Sequence, residues 1–151
     1  MNVLVIDGQG GGLGKQLVAA LSTQCPEIRL TAVGTNSLAA NAMRKAGALR
    51  AATGENAVAV NCRSADIIVG PIGIVIADAL LGEITPAMAT AVCQSHATRV
   101  LIPVNHCENL ICLCLFPAET AAQPGNRPLL HCARSGEKAS RKIPQDFPTC
   151  N

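Results

Sequence analysis

Apolar and polar residues alternate in blocks along the first hundred positions, and the blocks change period. Residues 3–6 (Val-Leu-Val-Ile) are apolar without a break, as a strand buried on both faces requires. Glycines follow. From Leu13 the apolar positions Leu13, Leu17, Val18 and Leu21 recur at helical spacing until Pro26 ends the segment. Residues 29–33 predict a second strand, closed by Gly34-Thr35-Asn36. Asn36 or Ser37 can cap a helix running to about Lys45, and Gly47 suits the left-handed position beyond its end. Residues 48–56 read as a short strand and loop, and 57–61 as a further strand. Residues 66–69 (Asp-Ile-Ile-Val) form a strand stopped by Gly70-Pro71-Ile72-Gly73, and a helix is expected over 73–81. Thr85-Pro86 opens another helix, with Thr as N-cap and Pro at the first helical position. Residues 99–104 make the last clear strand. Strands and helices joined by short connections predict an α/β fold, a parallel sheet with flanking helices in a single domain.

After about Asn109 the pattern dissolves. Residues 110–116 could add an edge strand. From Pro117 onward Pro, Gly, Gln, Ser and charge dominate. The expected division is a domain over 1–117 and a poorly ordered tail over 118–151.

Composition narrows the function classes. The chain has 151 residues and no Tyr or Trp, which excludes any mechanism needing a tyrosine proton donor. The net charge is +2 with no basic run, and the only aromatics are Phe116 and Phe147, so nucleic acid is not an expected partner. No uninterrupted apolar stretch approaches the roughly 18 residues of a membrane span. The start, Met-Asn-Val-Leu-Val-Ile-Asp, lacks a basic region and is cut short by Asp7, unlike an export signal. A cytoplasmic location is expected, with the eight cysteines reduced. Five of them follow residue 106, among them the set His106-Cys107, Cys112-x-Cys114 and His131-Cys132. That spacing matches no common zinc pattern, and no metal site is assigned.

The candidate chemistry lies at Asp7-Gly8-Gln9-Gly10-Gly11-Gly12-Leu13-Gly14-Lys15. Five glycines let a chain turn sharply and approach a ligand without Cβ atoms. The helix that follows points unpaired N–H groups and its positive dipole end at the loop, so an anion is the expected occupant. The spacing G-x-G-x-x-G fails, because it demands glycine at Leu13 or at Lys15. The phosphate loop G-x-x-x-x-G-K-[ST] fails at Gln9 and at Gln16. The spacing Gly8-x-x-x-Gly12-x-Gly14 is similar to the loop of short-chain dehydrogenases, which bind NAD(P). Their Tyr-x-x-x-Lys pair cannot exist here. At the end of the second strand, where a ribose-binding acid would sit, the chain has neutral Gly34-Thr35-Asn36-Ser37. Asp7 beside an anion site reads either as an acceptor that holds the loop or as a Mg²⁺ or sugar ligand.

A wider resemblance covers residues 1–108. Val-Ile-Asp7-Gly-Gln-Gly-Gly-Gly12, Ala-Val-Gly34-Thr-Asn36, Ala-Thr-Gly54-Glu-Asn56, Asp66-Ile-Ile-Val-Gly-Pro-Ile-Gly73, Leu-Gly82-Glu-Ile-Thr-Pro86 and Leu-Ile-Pro-Val-Asn105 occur in order. Together they resemble the bacterial domain-of-unknown-function family 3842. The resemblance implies a compact Rossmann-like protein of the bacterial cytoplasm and no particular activity.

In open parallel sheets, ligands sit at the carboxyl ends of the strands. The expected cofactor contacts are therefore Asp7, Gly8, Gln9, Gly10, Gly11, Gly12, Leu13, Gly14, Thr35, Asn36, Gly70, Pro71, Ile72 and Gly73. Glu55, Asn56 and Asn105 are candidates for touching a sugar or substrate, and Glu83 reads mainly as a helix-start acid. The leading expectation is a nucleotide or dinucleotide such as NAD(P), with Mg²⁺ admissible, bound by a sensor or regulatory module. The alternatives are a small reductase or phosphate-ester enzyme using Asp7, Glu55 or Glu83, and an interaction protein that forms a homo-oligomer through residues 72–81.

Overall fold

The computed structural model describes residues 1–104. Asn105, the 110–116 strand, the His106-to-Cys132 set and the tail lie outside the described residues.

β1 (Asn2–Asp7) runs through the middle of the structure, and its alternation sets the layers. Val3 and Val5 join Val18 of α1 (Gly12–Gln24), Leu30 and Ala32 of β2 (Arg29–Gly34) and Met43 of α2 (Ser37–Lys45) in one apolar cluster. Leu4 and Ile6 face the other way. They join Val58 and Cys62 of α3 (Glu55–Cys62), Ile68 of β4 (Ile67–Pro71), and Met88 and Val92 of α4 (Pro86–Gln94). A strand clothed on both faces has no polar side to spend, which is why residues 3–6 carry no alternation. With β3 (Arg50–Thr53) and β5 (Thr98–Ile102), the described residues form a five-stranded parallel sheet of order β3-β2-β1-β4-β5. This is an α/β, Rossmann-like arrangement, with strand order reversing between β1 and β4.

The reversal opens a crevice. β1 pairs with β2 as far as Asp7↔Gly34, but with β4 only as far as Val5↔Val69. β4 continues beside β5 to Pro71↔Ile102. The β1–β4 ladder thus ends short of both carboxyl ends, the edge at which a doubly wound sheet binds its ligand. β4 includes Gly70 and Pro71, which the sequence pattern places after the strand. A proline is tolerated there because it closes the strand after the pairing with β1 has ended.

Two expected elements differ. Residues 57–61 are not a strand but the body of α3. The Val58-Ala59-Val60 alternation would put both valines on one face. The structure instead buries Val58 and Cys62, four apart, and leaves Val60 48% exposed. Residues 73–81 are not an α-helix. A short 3₁₀ turn (Ile72–Val75) ends at Ile76, and turns follow as far as Glu83. Three non-glycine residues in these turns, Asp78, Leu80 and Leu81, have φ of 62, 57 and 60°, which no right-handed helix accommodates. The expected caps do form. Asn36 Oδ1 accepts from the Ala39 amide, and Thr85 Oγ1 accepts from the Met88 amide with Pro86 behind it.

Candidate functional site

β1 delivers Asp7 to the mouth of the crevice with its side chain on the α1 side. The carboxylate is 5% exposed, and the loop folds around it. Oδ1 accepts from the Gly8 amide at 2.8 Å and Oδ2 from the Gly14 amide at 2.6 Å. The second bond caps the first turn of α1 from a distance, because the N-cap position itself is Gly11, which has no side chain to offer. A carboxylate at a helix N-terminus also meets the positive end of the dipole. Asp7 thus acts as a loop-holding acceptor.

The turn closes through Gly11 N–H to Gly8 O at 2.9 Å, with Gln9 (φ 51°) and Gly11 (φ 68°) in the left-handed region. The glycines are not equivalent. A Cβ on Gly11 would lie 2.7 Å from Ala39 Cα, and one on Gly14 would lie 2.6 Å from Met43 Sδ and 2.7 Å from Asp7 Cβ. One on Gly8 would lie 2.8 Å from Glu83 Oε2, Leu80 Cδ1 and Thr35 Oγ1. A Cβ on Gly10 or Gly12 would meet nothing within 4 Å. The fold itself therefore demands glycine at Gly8, Gly11 and Gly14. The Gly8-x-x-x-Gly12-x-Gly14 spacing matches the letters, but Gly12 is not one of the three that packing requires.

The amides divide in the same way. Gly8, Gln9, Gly11, Gly14 and Lys15 donate within the protein. Among the described residues, the amides of Gly10, Gly12 and Leu13 have no hydrogen-bond partner. They line a cavity of about 140 Å³ bounded by residues 7–13, Pro71, Leu80 and Val104. Ligand pockets for whole drug-sized molecules span roughly 300–1,000 Å³. This one suits a phosphate group, and a dinucleotide exceeds it.

A second carboxylate completes the site, and sequence reasoning misplaced it. Glu83 does not serve the start of α4, which Thr85 caps. Its Oε2 accepts from the Gln9 amide at 2.7 Å, from the Thr35 hydroxyl, and from Asn36 Nδ2 at 3.0 Å. Asn36 Nδ2 also donates to Gln9 O at 2.9 Å. Burial pushes the Glu83 carboxyl up, but the bonds from Gln9, Thr35 and Asn36 outweigh it and hold it below its ordinary range. A carboxylate thus stands just beyond β2 from a residue 48 positions after Thr35, taken up by these internal bonds. No local pattern marks it; only the fold brings it there.

The remaining candidates separate. Thr35 and Asn36 lie beside the loop, with the groups just described engaged inside the protein. Pro71 lines the cavity, and Gly70 packs so closely on Ile6 O that no side chain fits. Ile72 and Gly73 begin the 3₁₀ turn and border a separate small cavity with Leu80. Glu55 and Asn56 open α3 in exposed positions, and Glu55 accepts from the Thr85 hydroxyl; neither lines the loop cavity. Among the described residues no cluster of three His, Cys, Asp or Glu could hold a metal, and no helix is long and apolar enough to cross a membrane.

A parallel doubly wound sheet with a glycine loop at its strand-order reversal defines a Rossmann-like α/β protein. More specifically, the profile described as Domain of unknown function (DUF3842) matches residues 2–115, and the chain belongs to that family. No curated protein and no solved structure matches the chain.

Proposed function

We propose that this protein binds a nucleotide by its phosphate at the 8–14 loop, as a sensor or regulatory module of the bacterial cytoplasm. The observation that carries the reading is the set of amides at Gly10, Gly12 and Leu13 that have no partner among the described residues. They lie at the N-terminus of a 13-residue helix, over a phosphate-sized cavity, at the strand-order reversal. Glycine at positions 10 and 12, where packing leaves open space, supports close approach by a group from outside the chain. Asp7 does not oppose the anion as strongly as its position suggests, because its two oxygens accept from the Gly8 and Gly14 amides. The engagement of Asp7, Glu55 and Glu83 in internal hydrogen bonds favours binding over acid–base chemistry.

Isothermal titration with ADP, ATP, NAD(H) and NADP(H), with and without Mg²⁺, tests the proposal. Saturable binding that Gly12→Ala weakens is the expected result. No heat from any of them at millimolar concentration refutes it.

A further inference from the structure

Residues 76–85 cross from the 3₁₀ turn to α4, and their backbone is costly. Asp78, Leu80 and Leu81 all adopt left-handed φ, a conformation that non-glycine residues take only where the surroundings impose it. Leu81 recovers nothing, since it is 86% exposed. The segment is held instead by its other side chains. Ala79, Leu80 and Ile84 are buried, and Glu83 bonds the loop and the end of β2. Short backbone bonds keep its shape, notably Asp78 N–H to Ile84 O at 2.7 Å and Ile84 N–H to Ala79 O at 3.1 Å.

Its position matters more than its shape. In doubly wound sheets the ribose of a bound nucleotide is hydrogen-bonded near the end of the second strand. Here that place is taken: Glu83 Oε2 accepts from the Thr35 hydroxyl and Asn36 Nδ2 just beyond β2, and it and Leu80 Cδ1 each lie 2.8 Å from where a Cβ on Gly8 would stand. The donors that a ribose or its phosphate would use, Gln9 N–H and the Thr35 hydroxyl, are spent on Glu83. We propose that segment 76–85 is an autoinhibitory gate, with Glu83 occupying the nucleoside place in the free protein and leaving it when a nucleotide enters. The proposal rests on the nucleotide reading above. It adds that phosphate can enter beneath the closed gate, whereas a nucleoside phosphate must open it. The opening cost falls on apparent affinity, as for any site whose competent state is a minor one.

The test compares orthophosphate and ADP on the full chain by isothermal titration, for wild type, Glu83→Gln and Glu83→Ala. The gate predicts that Glu83→Ala tightens ADP binding by about tenfold, with a much smaller gain for orthophosphate and an intermediate ADP gain for Glu83→Gln. Equal gains for both ligands would indicate only the loss of a nearby negative charge and would overturn the gate. Orthophosphate binding with no gain for ADP would overturn the gate and leave the site standing. No binding of either ligand to any variant would overturn both. Hydrogen exchange on the wild type is independent of how the variants fold. Saturating ADP should speed exchange at the Asp78 and Ile84 amides, and unchanged or slower exchange there contradicts opening.

Discussion

Asp7→Asn separates a loop-holding carboxylate from a cation or sugar ligand. In the wild type both oxygens accept backbone amides, at 2.8 and 2.6 Å, in a site 5% exposed. Asparagine keeps one acceptor. Its amide nitrogen must face either the Gly8 or the Gly14 N–H, donor against donor. One charge-assisted bond is lost, worth about 1.5–3 kcal/mol, and a buried N–H is left unpaired at a further cost of the same order. Local relaxation returns part of this, so the expected loss is about 3 kcal/mol. For a domain of this size that is a fall in Tm on the order of 10 °C. With no Trp or Tyr in the chain, far-ultraviolet circular dichroism is the natural probe. A carboxylate kept for an external cation behaves oppositely, since neutralising an uncompensated buried charge relieves the fold. An unchanged or raised Tm in Asp7→Asn would therefore refute the structural role assigned to Asp7.

Other expectations follow from the same geometry. Gly14→Ala should lower Tm by several degrees, because its Cβ meets Met43 Sδ and Asp7 Cβ, whereas Gly12→Ala should leave Tm within a degree or two, because its Cβ meets nothing; equal effects would contradict the steric assignment. Glu83 is held below its ordinary value of 4.5, so its bonds stabilise the fold fully above that value and are lost as pH falls through the lowered one. The stability difference between wild type and Glu83→Gln should be flat from neutral pH down to about 5 and shrink below 4.5, and a pH-independent difference in urea unfolding would contradict this. Burial pushes the Cys62 thiol up to about 11, while Cys93 is exposed. Peptide mapping after brief iodoacetamide treatment near neutral pH should find Cys93 modified and Cys62 not, and the reverse order would contradict the burial of α3.

The fold was legible where one signal dominated. Unbroken apolar runs mark strands with two covered faces, so β1 and β4 declare themselves. Asn36 and Thr85-Pro86 cap their helices in ways that sequence spacing alone predicts. Where a segment is short, period fails. In α3 the Val58–Val60 alternation competes with the Val58–Cys62 spacing over eight residues, and only packing against α4 and Ile68 decides. Residues 76–85 are illegible for a different reason. Leucine in left-handed φ runs against local preference and is imposed by burial of Ala79, Leu80 and Ile84 over the crevice. The glycine loop could be found from letters, but which of its glycines packing requires could not. Glu83 escaped because its three donors lie between 47 and 74 positions away.

The central claim is that the Gly10, Gly12 and Leu13 amides, which have no partner among the described residues, receive a phosphate. Titrating isotope-labelled protein with orthophosphate and following the amide resonances of Gly10, Gly12 and Leu13 tests it most directly. The account predicts saturable downfield shifts at these three amides, with Gly8 and Gly14, already bonded to Asp7, moving little. Resonances that stay in place at millimolar phosphate, or shifts confined to other parts of the chain, would contradict it.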